Sequence, residues 1–225
     1  MRNIAIILAA GSGSRFGSEL PKQFVKIGEK MLLEYALETF QNHPQIDEII
    51  IVVQQQYQSL ITDLQQNNVY SKLTTILEGG AERYHSTLSV IRHFAQMNEE
   101  CNLIFHDAVR PFVSVDTISE VVQTLESYSA VVVAVPTVDT MLTVSNGVIS
   151  QIPNRSMLWH AQTPQAFRKS TIQQAFELAL QDPNFKVTDD GSVVFRYLPE
   201  EKIRIVRGEE KNRKITVHDD LILLS

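Results

Sequence analysis

Ile4-Ala-Ile-Ile-Leu-Ala-Ala-Gly11-Ser-Gly13-Ser-Arg15-Phe-Gly17, followed by Pro21-Lys22-Gln23, is the stretch that decides the fold. A continuous apolar run of this kind reads as a strand covered on both faces. It feeds directly into a glycine-rich loop that carries the fixed charges of Arg15 and Lys22. Glycines let backbone N–H groups approach a ligand, and clustered N–H groups form an anion-binding concavity. With two added cations the loop reads as a polyphosphate cradle, which points to nucleoside triphosphates.

Working outward, short β-branched runs alternate with segments of helical period. Strands are expected at 3–9, 48–53, 74–77, 102–105, 130–135 and 202–206, and helices at 32–41, 57–66, 83–96, 115–127 and 171–180. In the first helix Leu33, Leu37 and Phe40 share one stripe, with Glu34 and Glu38 outside it. This alternation predicts an α/β fold with a doubly wound, mostly parallel sheet. In such a sheet ligands sit at the carboxyl ends of the strands. Residues 1–225 read as one domain with no internal repeat or linker. A segment at about 137–163 breaks the rhythm: two β-type pieces, 140–144 and 148–152, flank Ser145-Asn146-Gly147. Asn-Gly between apolar runs is a hairpin signal. A hairpin is poorly stable alone, so this arm either packs on a second subunit or folds back on its own domain.

The gross numbers exclude other classes. A chain of 225 residues buries about 70% of its unfolded surface, and a net charge of −6 speaks against a nucleic-acid-binding surface. The single Cys101 fits a reducing compartment. No apolar run reaches the ~18 residues of a membrane span, and the start lacks a secretory signal pattern. The expected location is therefore cytoplasmic.

The loop is not a dinucleotide fingerprint, because Gly11, Gly13 and Gly17 are spaced one residue too far. The second strand also ends in Gln54-Gln55-Gln56, with no acid for a ribose. A Walker loop, a Cys/His zinc cluster and a Gly-x-Ser-x-Gly elbow are all absent from the sequence. Four further motifs carry chemistry. His106-Asp107-Ala-Val-Arg110-Pro111 closes an apolar strand, where Asp107 is either a Mg²⁺ ligand shared with substrate phosphates or a helix N-cap. Pro111 and a better cap at Ser114 favour the metal. Gly79-Gly80 opens a helix with Arg83 and Ser86, and permits close approach to a base or ribose. Arg155, near the only tryptophan, Trp159, is an anion clamp on the arm or a solvated charge. Lys214, in Asn212-Arg213-Lys214-Ile215-Thr216, is a phosphate contact or a surface lysine.

Together these motifs resemble the cytidylyltransferases of the 2-C-methyl-D-erythritol 4-phosphate type and their relatives acting on ribitol 5-phosphate. The resemblance is carried in order by the opening loop through Arg15, Pro21-Lys22-Gln23, Gly79-Gly80-x-x-Arg83-x-x-Ser86, His106-Asp107-Ala-x-Arg110-Pro and Val138-Asp139-Thr140. It continues through Arg155, Leu158-Trp159, Gln162-Thr163-Pro164-Gln165, Thr188-Asp189-Asp190 and Asn212-x-Lys214-x-Thr216. It implies a nucleotidyltransferase that joins CTP to a polyol phosphate with Mg²⁺. Arg15, Lys22 and Lys214 would be the catalytic cations. Ala9, Ala10, Gly11, Gly13, Gly79, Gly80 and Ser86 would hold the nucleotide. Asp107 would bind the metal or order the substrate side, Arg110 would contact phosphate, and Thr140 and Arg155 would reach the acceptor from the partner's arm in a homodimer. Arg213 departs from the family's usual aliphatic residue. Leu198-Pro-Glu-Glu-Lys-Ile leans toward the ribitol phosphate relatives, whereas Leu158-Trp159-His160 and Val187-Thr-Asp-Asp lean toward the erythritol phosphate enzymes. A silent nucleotide-binding scaffold is the alternative of another class, and the retained cations argue against it.

Overall fold

The structure is a computed structural model, and it describes residues 1–11, 20–66, 70–80, 82–217 and 220. The first half of the chain runs β1 (Arg2–Leu8), β2 (Lys26–Ile27), β3 (Lys30–Met31), α1 (Leu32–Asn42), β4 (Glu48–Val53), α2 (Gln58–Gln66), β5 (Leu73–Glu78), α3 (Arg83–Phe94) and β6 (Cys101–Asp107). It continues with α4 (Val115–Thr124), β7 (Ala130–Pro136), β8 (Thr143–Ser145), β9 (Val148–Gln151) and β10 (Trp159–Arg168). α5 (Lys169–Ala179), α6 (Asp190–Tyr197) and β11 (Ile203–Arg207) complete the described elements.

Seven strands form one sheet in the order β11-β7-β10-β6-β1-β4-β5, parallel except for β10, which is antiparallel to both neighbours. The expected doubly wound α/β architecture is what the residues build, and the reason is visible strand by strand. Ala5 and Ile7 enter one apolar cluster with Phe40 of α1, Ile61 of α2 and Val121 of α4. Ile4 and Ile6 enter the opposite cluster with Val90 of α3, Phe176 of α5 and Val194 of α6. Alternate side chains of an extended strand point to opposite faces. A strand apolar at every position must therefore have helices on both sides.

The chain reverses its direction of travel at β1, which pairs with β4 on one side and β6 on the other. That is the switch point where α/β sheets open a crevice. Leu8 and Asp107 are register partners there, at the carboxyl ends of β1 and β6.

Four elements lie outside the sequence expectations: the two-residue strands β2 and β3, and β10 and α6. β10 and α6 both carry polar residues at buried positions, among them Gln162, Thr163, Gln165 and Asp190, which break an apolar pattern. The expected hairpin is present as β8 and β9, slightly shorter than predicted, with Asn146 at φ 51° and Gly147 at φ 77°. Positive φ at both central residues is what a type I′ turn requires. All residues of both strands are exposed, including Val148 and Ile149.

Candidate active site

β1 delivers the chain to the crevice and stops, and the next three residues define its wall. Ala9 and Ala10 are buried, and Ala9 still donates to the Val52 carbonyl at 2.8 Å. The β5–α3 turn packs directly on them. A Cβ on Gly79 would lie 2.4 Å from the Ala10 Cβ and 2.8 Å from Ser86 Oγ, and one on Gly80 would lie 2.3 Å from the His85 Cβ. Both positions therefore exclude a side chain, because the turn packs tightly on Ala10, Ser86 and His85. Ser86 is buried at the start of α3 and faces the same junction. Lys22 lies in a short 3₁₀ turn, Lys22–Phe24, fixed on the core side by the buried ring of Phe24. Gly13 and Arg15 lie outside the described residues.

Across the crevice, Asp107 ends β6 nearly buried and surrounded by cations. Its Oδ2 is 3.1 Å from Lys214 Nζ and 3.6 Å from Arg110 Nε, and its Oδ1 is 3.5 Å from Arg83 Nε. Burial alone pushes a carboxylate pKa up. Here the charges of Arg83, Lys214 and Arg110, with the hydrogen bond from Lys214, outweigh it and hold Asp107 well below the usual carboxylate range. The N-cap alternative for Asp107 does not apply, because Ser114 caps α4 through a 3.2 Å bond from the Thr117 amide. Positive charge exceeds negative at this centre, and two buried guanidinium atoms, Arg83 Nη2 and Arg110 Nε, have no hydrogen-bond partner among the described residues. Such an arrangement suits an anion.

Each member of the centre is fastened from behind. His106 is fully buried, and burial pushes its pKa down to about 4, so the imidazole is neutral. Its Nε2–H donates to the Arg110 carbonyl at 2.9 Å, which leaves Nδ1 to accept from the Thr163 hydroxyl at 3.0 Å. Thr163 Oγ1 in turn accepts from the Asp107 amide at 3.1 Å. The loop carrying Lys214 is held at both ends. Asn212 Nδ2 donates to the Thr163 carbonyl at 2.8 Å, and the Ile215 amide donates to Val109 at 2.9 Å. Arg213 points elsewhere, to Asp220 at 2.7 Å. The unusual residue therefore does not disturb its neighbour Lys214.

Arg83 is the residue whose role sequence reasoning left open. Its Nη1 lies 2.5 Å from Oδ2 of Asp190, whose Oδ1 accepts from Thr87 at 2.7 Å. Burial lowers the pKa of Arg83, but Asp190 and Asp107 raise it further, so its charge is permanent. Gln165 holds this corner together, donating to Asp189 at 2.8 Å and accepting from the Gly191 amide at 2.9 Å. Asp190, Gln165 and Asn212 stand in motifs quoted from the sequence without a role. Their polar side chains at buried positions were the signal.

The structure thus brings Asp107, Arg110 and Lys214 together at the crevice, with Ala9, Ala10, Gly79, Gly80 and Ser86 assembled at the neighbouring strand ends. Gly11 follows, exposed, on the loop. Thr140 and Arg155 lie on the exposed arm, where Arg155 Nη1 donates to the Val138 carbonyl at 2.9 Å. Among the described residues no group of three or more His, Cys, Asp or Glu is placed to hold a metal ion unaided. Among them, too, no helix is long and apolar enough to cross a membrane.

The family model for 2-C-methyl-D-erythritol 4-phosphate cytidylyltransferase matches residues 3–225. A 2-C-methyl-D-erythritol 4-phosphate cytidylyltransferase of Thermobifida fusca is 39% identical over 225 residues, covering 98% of this chain and 90% of its own length. A bifunctional ribulose 5-phosphate reductase/CDP-ribitol pyrophosphorylase of Haemophilus influenzae is 44% identical over 224 residues, covering 99% of this chain. The chain spans about half, 47%, of that relative's length. The crystal structure of 4-diphosphocytidyl-2C-methyl-D-erythritol synthase from Anaerococcus prevotii superposes with a TM-score of 0.84 at 33% identity, covering 98% of this chain and 95% of that one. With a crevice built for anions at the switch point and this match from end to end, the chain belongs to the 2-C-methyl-D-erythritol 4-phosphate cytidylyltransferase family.

Proposed function

We propose that the protein transfers CMP from CTP to 2-C-methyl-D-erythritol 4-phosphate and releases pyrophosphate. The observation that carries this reading is the excess of cations around Asp107, at the end of β6 beside the end of β1 at the switch point. No general base is needed. The acceptor's phosphate monoester, with a second pKa near 6, is already an oxyanion at neutral pH. Its oxygen attacks the α-phosphorus of CTP in line, the bond to the β-phosphate oxygen breaks, and pyrophosphate leaves with the electron pair. Catalysis is then positioning and charge stabilisation.

The residues divide accordingly. Ala9, Ala10, Gly11, Gly13, Gly79, Gly80 and Ser86 hold the nucleotide, the two paired glycines by letting the β5–α3 turn pack closely on Ala10, Ser86 and His85. Arg15 and Lys22 stabilise charge on the α-phosphate. Lys214 and Arg110 bind the acceptor phosphate, with Thr140 and Arg155 completing the acceptor site from the arm of a second copy. The arm exposes Val144, Val148, Ile149 and Ile152, a surface that supports homodimer formation. We read the whole chain as one catalytic unit with this arm attached, acting in the cytoplasm.

Mg²⁺ takes one or two carboxylates plus substrate phosphates, and Asp107 fits as that carboxylate. Lys214 has the most exposed side chain of its three cationic partners, so its ammonium can move to a phosphate and free an oxygen. Asp107 would hold such an ion, whose chemistry there would be to offset charge on the leaving pyrophosphate.

Pyrophosphate release, measured with CTP and each polyol phosphate, tests the assignment. Fast turnover of methylerythritol phosphate is expected. The 44% identity to a CDP-ribitol pyrophosphorylase supports the second reading, ribitol 5-phosphate as acceptor. Turnover of ribitol 5-phosphate alone would replace the first reading with it. The retained Lys22 and Lys214 count against a silent scaffold, and inactivity with both acceptors would support one.

A further inference from the structure

We infer that Gln23 and Gln54 are positioning residues: they set the peptide planes at the start of the glycine loop, and Gln23 also ties Lys22 to that loop. The inference deepens the reading above and, for its catalytic consequence, rests on it.

Three successive carbonyls beyond the last β1 residue each accept from a side-chain amide. Gln23 Nε2 donates both its hydrogens, to the Ala9 carbonyl at 2.6 Å and to the Gly11 carbonyl at 2.8 Å. Gln54 Nε2 donates to the Ala10 carbonyl between them at 2.7 Å. A peptide unit is planar and trans. Fixing the carbonyl of Ala9 therefore fixes the N–H of Ala10 in the opposite direction, and fixing that of Ala10 does the same for Gly11. The strand ladder has ended here and Gly11 has no Cβ, so nothing in the local backbone selects these orientations. N–H groups aimed at a triphosphate need them selected in advance.

The residue type follows from the location. Gln23 is 2% exposed, so its two amide hydrogens must be paired. Glutamate would set a negative charge against two carbonyl oxygens beside a bound triphosphate. Lysine would add a cation competing with Lys22. A neutral double donor satisfies both carbonyls without altering the charge of the site.

Gln23 also has a mechanical role, because it follows Lys22 directly. Phe24 on its other side is buried against Tyr57, with ring centroids 5.0 Å apart, and the Tyr57 amide donates to the Gln54 carbonyl at 2.9 Å. The segments carrying the two glutamines are thus joined to each other, and Lys22 immediately precedes the first glutamine. Its backbone cannot shift relative to the loop without breaking the Gln23 bonds.

The two residues should separate kinetically. Gln23→Met, which keeps length without donors, is expected to lower kcat by about 10- to 100-fold, the scale of a misplacement near 1 Å. Because part of its effect acts through Lys22, adding Gln23→Met to Lys22→Ala should cost clearly less than the product of the two single effects. Gln54→Met leaves the Lys22 segment in place, so it should raise the KM for CTP and change kcat less. Nuclear relaxation at the Ala10 and Gly11 amides should show new microsecond-to-millisecond exchange in Gln54→Met. Effects of Gln23→Met and Lys22→Ala that multiply in full, or unchanged relaxation in Gln54→Met, would overturn the inference. If the wild-type protein turned over neither polyol phosphate, the proposed function would fall while the relaxation measurement still decided the clamp.

Discussion

Asp190→Asn is expected to remove about 3 kcal/mol of folding stability, the low end of the range for breaking a buried ion pair. Asp190 is 1% exposed, with both oxygens engaged, one by Arg83 at 2.5 Å and one by Thr87 at 2.7 Å. The amide keeps the shape and can still accept on one side, so no cavity opens and the loss is electrostatic. Breaking one side of a buried pair typically costs roughly 3–5 kcal/mol, because the other charge stays behind. Arg83 retains Asp107 at 3.5 Å and its side chain is 25% exposed, which places the cost at the lower bound. For a chain of this size about 1 kcal/mol moves the melting temperature by roughly 2–4 °C, so the midpoint should fall by about 6–12 °C. Arg83→Met combined with Asp190→Leu removes both charges and should recover much of the loss. Thermal melts of the two variants beside the wild type decide the matter. A midpoint within about 2 °C of wild type for Asp190→Asn, or a double variant less stable than the single one, would refute the reasoning.

Other consequences follow from the same geometry. Lys214→Ala should lower turnover by about 10²–10³, by analogy with loss of one charged transition-state contact. Arg213→Ala, beside it but paired with Asp220, should leave turnover within about threefold; steady-state rates compare the two directly. Arg15→Ala and Lys22→Ala should reduce kcat by a similar ~10²–10³ with little change in CTP affinity, and a fall in affinity alone would make the loop a binding element only. Val148→Asp with Ile149→Asp places charge on the exposed apolar arm and should give a monomer by analytical ultracentrifugation. Burial lowers the pKa of both His43 and His106, the latter to about 4. Below pH 6.5 the unfolded chain binds more protons than the folded one, so stability is full above that value and declines as pH drops. His106 accounts for up to about 3 kcal/mol of that decline by pH 4. Denaturant melts between pH 8 and 5 should show a shallower slope for His43→Gln, and an unchanged slope would remove His43 from the account.

The sequence was most legible where burial and apolarity coincide. β4 and β7 are apolar at every interior position, and β1 and β6 are so apart from Asn3, Asn102 and His106, because two helical layers cover them, and the pattern named all four to within two residues. The Asn146-Gly147 turn was legible for a different reason, since its backbone angles demand those residue types. The opening loop was read from its glycines and cations. The glutamines that orient its carbonyls entered the sequence reading only as a motif element and as a missing acid. Spacing rules could not pair Arg83 with Asp190, because they stand 107 positions apart and meet only after the sheet has formed.

β10 shows why the site itself is the least readable part of such a fold. Gln162, Thr163 and Gln165 are buried in a central strand where a periodicity rule expects Val or Ile. Gln162 is bonded to Glu209 and Gln165 to Asp189 and Gly191, all outside the sheet, and Thr163 fastens Asp107 and His106 of the neighbouring strand. An apolar strand there would leave Asp107 with an unpaired amide, Asn212 of the Lys214 loop without its bond to the Gln162 side chain, and α6 without the Gln165 bonds to Asp189 and Gly191. The polar cost of β10 is offset by these bonds. In a parallel sheet, then, a polar run between two apolar strands is a signal for a strand that has been given over to positioning the site.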